Sequence, residues 1–161
     1  MPAGRRGILF GGSLLVFLSV LVDAQASRTV RDGVFTDAQA TRGEGIYRQQ
    51  CATCHGDKLE GSQGPPLTAD SFFSRWQAQP LSDLANKIRN TMPADGAGSL
   101  TPQQSADLVS HILKVGGFPA GKAELAPDEP ALSRIGWPQA NVAAAAAVVL
   151  YALAVEGEAG E

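Results

Sequence analysis

Sulfur and imidazole side chains are scarce in this 161-residue chain, which has two cysteines, two histidines and two methionines. Thiol, imidazole or thioether ligation must therefore draw on Cys51, Cys54, His55, His111 and the methionines. Aromatic residues are few as well, at 6 % of the chain. A basic excess is missing: 13 Lys and Arg stand against 16 Asp and Glu, a formal charge of −3. Such a balance argues against nucleic acid and anionic membrane surfaces as partners. No stretch alternates apolar and polar residues over a strand length, so β-strands are not expected. Glycine (18) and proline (10) are plentiful instead. The composition suits one small, loop-rich domain whose modest core would gain much from a large buried apolar cofactor.

The scarce residues are concentrated in Cys51-Ala52-Thr53-Cys54-His55. This C-x-x-C-H run is the signature of covalent c-type haem attachment. Two thiols three positions apart lie on one side of a helical turn, where both can reach the vinyl groups along one haem edge. The following imidazole can bind the iron from the proximal side. A thioredoxin-like pair would need a βαβ setting and a thiolate at a helix start, whereas these cysteines end an expected helix. A zinc site would need His111, more than fifty residues away, and that spacing matches no usual finger. A plain disulfide leaves His55 without a role.

The ends of the chain have their own character. Arg5 and Arg6 precede an apolar stretch over residues 8–22, and Ala24-Gln25-Ala26 resembles an A-x-A cleavage site. Residues 1–26 are therefore read as an export signal cleaved before Ser27. The stretch is short for a membrane span of about 20 residues. Cleavage would make the chain one unit more negative through loss of Arg5, Arg6 and Asp23. Export agrees with haem attachment, in which the thiols become thioethers. At the other end, residues 139–155 form an uncharged, alanine-rich helix candidate. Only about 14 of them are strongly apolar, too few for a comfortable span. A helix packed on the domain or on a partner is favoured over a membrane anchor.

Three main helices are expected. The first opens at Thr36, with Gln39 closing a capping box, and runs through Gly43, Ile46 and Tyr47 into the cysteine motif. The second follows Pro80, carries Leu81, Leu84 and Ile88, and stops near Asn90. The third begins at Thr101, with Pro102 and Gln104 as start signals, and ends at Gly116-Gly117. A shorter helix is expected from Ser71 to Trp76. Residues 61–70 form a glycine- and proline-rich loop after His55. Residues 123–132 read as an extended acidic tail.

Met1 goes with the signal, which leaves Met92 as the single methionine of the mature chain. It stands in a loop before Pro93, away from any apolar helical stripe. That setting favours a thioether ligand to the sixth position of the iron over a core filler. His111, inside the third helix beside its apolar face, reads as a packing histidine.

With these residues the chain resembles the class I c-type cytochromes over residues 36–121. The resemblance implies an all-α cytochrome c fold: three main helices and loops around one covalent haem c, here with an extra C-terminal tail helix. In that family a glycine and an aromatic of the first helix pack on an aromatic of the last. Gly43 and Tyr47 fit the first half, and His111 stands where Tyr or Trp is usual. Gly64-Pro65-Pro66-Leu67 resembles the family's G-P-x-L loop, which implies that the Pro65 carbonyl accepts a hydrogen bond from His55. Trp76 resembles a tryptophan that bonds a haem propionate in some relatives, with core packing as its alternative. Gly117-Phe118-Pro119-Ala120-Gly121 resembles cytochrome modules that accompany quinoprotein dehydrogenases.

The domain reading is thus 1–26 signal, 27–35 linker, 36–121 cytochrome domain and 122–161 extension. The functional expectation is an exported, periplasmic one-electron carrier rather than an enzyme. Cys51 and Cys54 would anchor the haem, with His55 and Met92 on the iron. Its partners would be redox proteins such as a dehydrogenase, a cytochrome complex or an oxidase. A haem subunit fixed in a dehydrogenase complex is the alternative. A pentacoordinate haem enzyme or gas binder becomes the reading if Met92 is not a ligand.

Overall fold

The computed structural model describes residues 28–138. The expected signal over residues 1–26 and the alanine-rich segment over residues 139–155 lie outside them.

Six helices and one short strand pair follow along the described chain: β1 (Arg28–Thr29), α1 (Asp37–Gln50), α2 (Ala52–His55), α3 (Asp70–Trp76), α4 (Leu81–Thr91), α5 (Pro102–Val115), α6 (Glu129–Leu132) and β2 (Ile135–Gly136). The fold is all-α in its main elements, as expected, and its three long helices start and stop within a residue or two of the positions read from the sequence. At α5 both halves of the capping box are formed. Thr101 Oγ1 accepts from Gln104 N at 3.2 Å, and Thr101 N donates to Gln104 Oε1 at 2.9 Å. Pro102 occupies the first turn, where no intrahelical N–H is needed.

The box at α1 is only half formed. Thr36 Oγ1 accepts from Gln39 N at 3.1 Å, but the Gln39 side chain does not return the bond. It is fully buried, and it exchanges two hydrogen bonds with the backbone of Leu125: Nε2 to the carbonyl at 2.9 Å and the amide to Oε1 at 2.7 Å. A buried peptide group far along the chain competes better for this amide than a helix start that water can satisfy.

Two further expectations are corrected. Strands were not expected, yet Arg28 and Thr29 pair in parallel with Ile135 and Gly136. A two-residue ladder is too short to leave an alternating pattern. The segment read as an extended acidic tail, residues 123–132, also contributes to the core: its Leu125 and Leu132, with Ile135 and Trp137 just beyond it, are buried with Val30, Val34 and Phe35 from the other end of the chain. Asp128 caps the short α6 by accepting from Ala131 N at 2.9 Å. The charged residues of this tail face water while its widely spaced apolar residues turn inward.

The main helix crossing is α1 on α5. Gly43 allows it, because a Cβ there would run into the Asp107 carbonyl and lie 3.0 Å from His111 Cβ. Arg42 fastens the same crossing at its edge, bonding Asp107 (3.1 Å) on α5 and Glu124 (2.8 Å) in the tail. One apolar cluster fills the space between α1, α4, α5 and the terminal segments. A second gathers Tyr47, Leu59, Leu100, Leu108 and Ile112, with Cys51, Ala52, Leu67 and Ile88 against it. That second cluster is where the chemistry-bearing residues meet the core. Among the described residues, no helix is long and apolar enough to cross a membrane.

Candidate haem-attachment site

Helix α1 breaks at Cys51, which caps it with a backbone bond to the Tyr47 carbonyl. The chain then makes the single turn α2 and leaves it at Gly56, whose φ of 82° suits glycine. Cys51 is half-buried, Cys54 is exposed, and neither is in a disulfide. Burial, helped by the neighbouring Cys54, pushes the Cys51 thiol up to about 11. A thiol held in that state is a poor redox nucleophile. Among the described residues no group of three or more His, Cys, Asp or Glu could hold a metal ion, so the zinc reading has no ligand set.

The loop after α2 closes over His55. Its Nδ1 lies 2.8 Å from the Pro65 carbonyl, the partner expected from the G-P-x-L resemblance. A proline carbonyl can only accept, so Nδ1 carries a proton, and the neutral tautomer compatible with this bond has its lone pair on Nε2. Gly64 makes this approach feasible: a Cβ there would stand 2.9 Å from His55 Cε1 and 3.0 Å from Nδ1. The backbone is pinned as well, with Gly64 N on the Cys54 carbonyl at 2.8 Å and Gly61 N on the His55 carbonyl at 2.7 Å. Leu59, buried beneath the loop, holds a φ of 62°, a left-handed conformation that costs a branched residue about 1–2 kcal/mol.

One contact was missed in the sequence. The Tyr47 hydroxyl donates to the Gly56 carbonyl at 2.5 Å, tying α1 to the peptide after His55. The tyrosine was visible as a packing residue, but nothing in the spacing discloses where its hydroxyl goes. Burial is the main reason its phenol is pushed up to about 12, so it remains a donor. His111 packs on the same ring, centroids 5.3 Å apart, as expected of a packing histidine.

Met92 caps the C-terminus of α4 in an extended conformation, half-buried, with its amide on the Ile88 carbonyl at 3.0 Å. Ile88, one turn earlier, packs on the cluster that holds Cys51 and Ala52. Trp76 ends α3 and packs edge-on against Phe72 at 6.2 Å. Its Nε1 is buried and has no hydrogen-bond partner, an unmet donor that an acceptor such as a haem propionate would satisfy. Paired unbridged thiols, a histidine with a free Nε2, a glycine cradle around its ring and this orphan donor all fit a covalent haem.

Comparison with known proteins agrees. The family model described as "Cytochrome C oxidase, cbb3-type, subunit III" matches residues 38–112. Cytochrome c-551 of Bacillus subtilis is 31 % identical over 87 residues, covering 53 % of this chain and 76 % of that protein. Dihydro-heme d1 dehydrogenase of Pseudomonas aeruginosa is 30 % identical over 82 residues, 51 % of this chain but only 17 % of that one. Among solved structures, the sulfane dehydrogenase SoxCD of Paracoccus pantotrophus aligns with a TM-score of 0.42 at 20 % identity, over 71 % of this chain and 58 % of its own. The extent of the match to cytochrome c-551, joined to a C-x-x-C-H turn closed by its proline loop, establishes that the chain belongs to the c-type cytochromes, as a monohaem member that binds haem c covalently and carries single electrons.

Proposed function

We propose that this protein is an exported one-electron carrier whose haem c is anchored by Cys51 and Cys54 and ligated by His55 and Met92. The observation that carries the reading is the 2.8 Å contact between His55 Nδ1 and the Pro65 carbonyl, which leaves Nε2 as the ligating atom. Bound haem c supplies a one-electron Fe(III)/Fe(II) couple. The chain's own residues orient and tune that couple. Pro65 fixes the plane and basicity of the His55 ring. Trp76 offers its unmet indole N–H to a propionate, and the thioether of Met92 favours the ferrous state. Held by both His55 and Met92, the haem would leave no position open to a substrate, which makes the protein a carrier and not an enzyme.

Residues 1–26 direct export to the periplasm and are removed. Residues 36–121 form the cytochrome domain, to which the flanking segments add core residues. Its partners are redox proteins of the dehydrogenase, cytochrome complex or oxidase type. Similarity to one part of a dehydrogenase supports the second reading, a haem subunit held in such a complex. Loss of a co-purifying dehydrogenase on truncation after residue 138, with electron transfer retained, would favour that subunit.

The test is an optical spectrum of the holoprotein in both oxidation states, with and without Met92→Ala. A low-spin spectrum with the weak near-infrared band of Met-ligated ferric haem, lost in the variant, supports the carrier. A high-spin spectrum indifferent to Met92 would overturn it in favour of a pentacoordinate enzyme or gas binder.

A further inference from the structure

Three groups form a connected path from α5 to the peptide that follows His55. The ring of His111 lies on that of Tyr47, 5.3 Å between centroids and tilted by 45°. The Tyr47 hydroxyl donates to the Gly56 carbonyl at 2.5 Å. That carbonyl also accepts from Leu59 N at 3.3 Å, while the preceding His55 carbonyl accepts from Gly61 N at 2.7 Å. Both ends of the His55–Gly56 linkage are therefore fixed, and a change in the strength of the Tyr47 bond acts on a segment that cannot relax by swinging away. The Gly43 contact holds α1 and α5 close enough for the two rings to meet.

We propose that His111 is a positioning residue that sets the haem's reduction potential through Tyr47 and the Gly56 carbonyl, and that its protonation raises that potential. The inference rests on the haem attachment proposed above.

The charges that face His111 come from both helices. On α1 are Glu44, which favours the imidazolium, and Arg48, which disfavours it; the two are paired at 2.5 Å. On α5, Lys114 disfavours it as well. Asp107, one turn earlier on α5, is engaged by Arg42 and Gln103. Burial outweighs these charges and holds His111 below the ordinary histidine value of 6.5. Tyr47 stays neutral throughout this range. A proton gained by His111 sets a positive charge against the phenol ring, which makes the hydroxyl a stronger donor to Gly56. Added positive charge near the site and electron withdrawal through the Gly56 carbonyl, one peptide beyond the histidine, both disfavour the oxidised, more positive state. The potential therefore falls as pH rises through the His111 titration and is flat above it. By linkage, reduction of the protein raises the proton affinity of His111.

The experiment is the midpoint potential of the holoprotein between about pH 4 and about pH 8, bracketing the ordinary histidine value, for the wild type, His111→Gln and Tyr47→Phe. The wild type is expected to show an acid-side step corresponding to a threefold or larger difference in proton affinity, about 28 mV where tenfold is 59 mV for one electron. His111→Gln removes the step, and Tyr47→Phe retains less than half of it. A step of unchanged size in either variant overturns the proposal. If His111→Gln does not accumulate as folded holoprotein, NMR titration of His111 in oxidised and reduced wild type decides. Proton affinities differing threefold support the path, and equal affinities overturn it. A chain that attaches no haem gives no potential at all, which would overturn the attachment reading and this one with it.

Discussion

The main-chain carbonyl of Asp107 occupies the space in which a side chain on Gly43 would begin. The α1–α5 crossing is thus set by backbone against backbone, with His111 Cβ closing the remaining room. Gly43→Ala is expected to force the helices apart and to destabilise the holoprotein by about 1–3 kcal/mol, an overpacking effect. Thermal unfolding measures it, and an unchanged midpoint would mean that α1 can slide.

Gln39→Leu tests the clamp between α1 and the tail. The Leu125 amide and carbonyl would both lose their partner in a buried setting. The expected loss is on the order of 2–4 kcal/mol for two unsatisfied groups. A Gln39→Glu variant retains the acceptor for the amide but not the donor for the carbonyl, and should also be destabilised in urea.

Gly64→Ala places a methyl 2.9 Å from His55 Cε1 and should weaken the bond to Pro65. A histidine relieved of that bond is a weaker electron donor. The potential should rise by about 30–60 mV, a several-fold change at one electron. A fall in potential would show that the carbonyl does not act on the ring in this way.

The buried His111 gives stability a defined pH dependence. Burial lowers its folded value below the ordinary 6.5. Between those two values the unfolded chain binds the proton and the folded one does not. The His111 contribution is therefore complete above pH 6.5 and declines as pH falls through the folded value. Urea unfolding at several pH values should show this acid-side slope in the wild type and a shallower one in His111→Gln.

Trp137→Ala probes the C-terminal extension. The side chain is 2 % exposed and packs on Phe73 (5.7 Å) and Phe118 (5.9 Å). Truncation should cost about 3–5 kcal/mol. Removal of all residues after 121 should prevent cooperative folding, as it deletes Leu125, Leu132, Ile135 and Trp137 together. A truncated protein that unfolds like the full chain would refute this.

The haem-attachment signature and the helices are legible in the sequence because both depend on short spacings. Cys51, Cys54 and His55 carry the haem-attachment signature within five residues, and Thr101, Pro102 and Gln104 mark a helix start within four. The same locality made Gln39 misleading, since a capping-box pattern does not show that a buried peptide elsewhere will claim the side chain. Tertiary structure alone decided what depends on distant partners. It brought Leu125 to Gln39, paired β1 with β2, set Asp107 against Gly43 and turned the Tyr47 hydroxyl to Gly56. None of these leaves a periodic trace, because each is fixed by how the helices cross and where the chain ends return, and that geometry exists only once the core has formed.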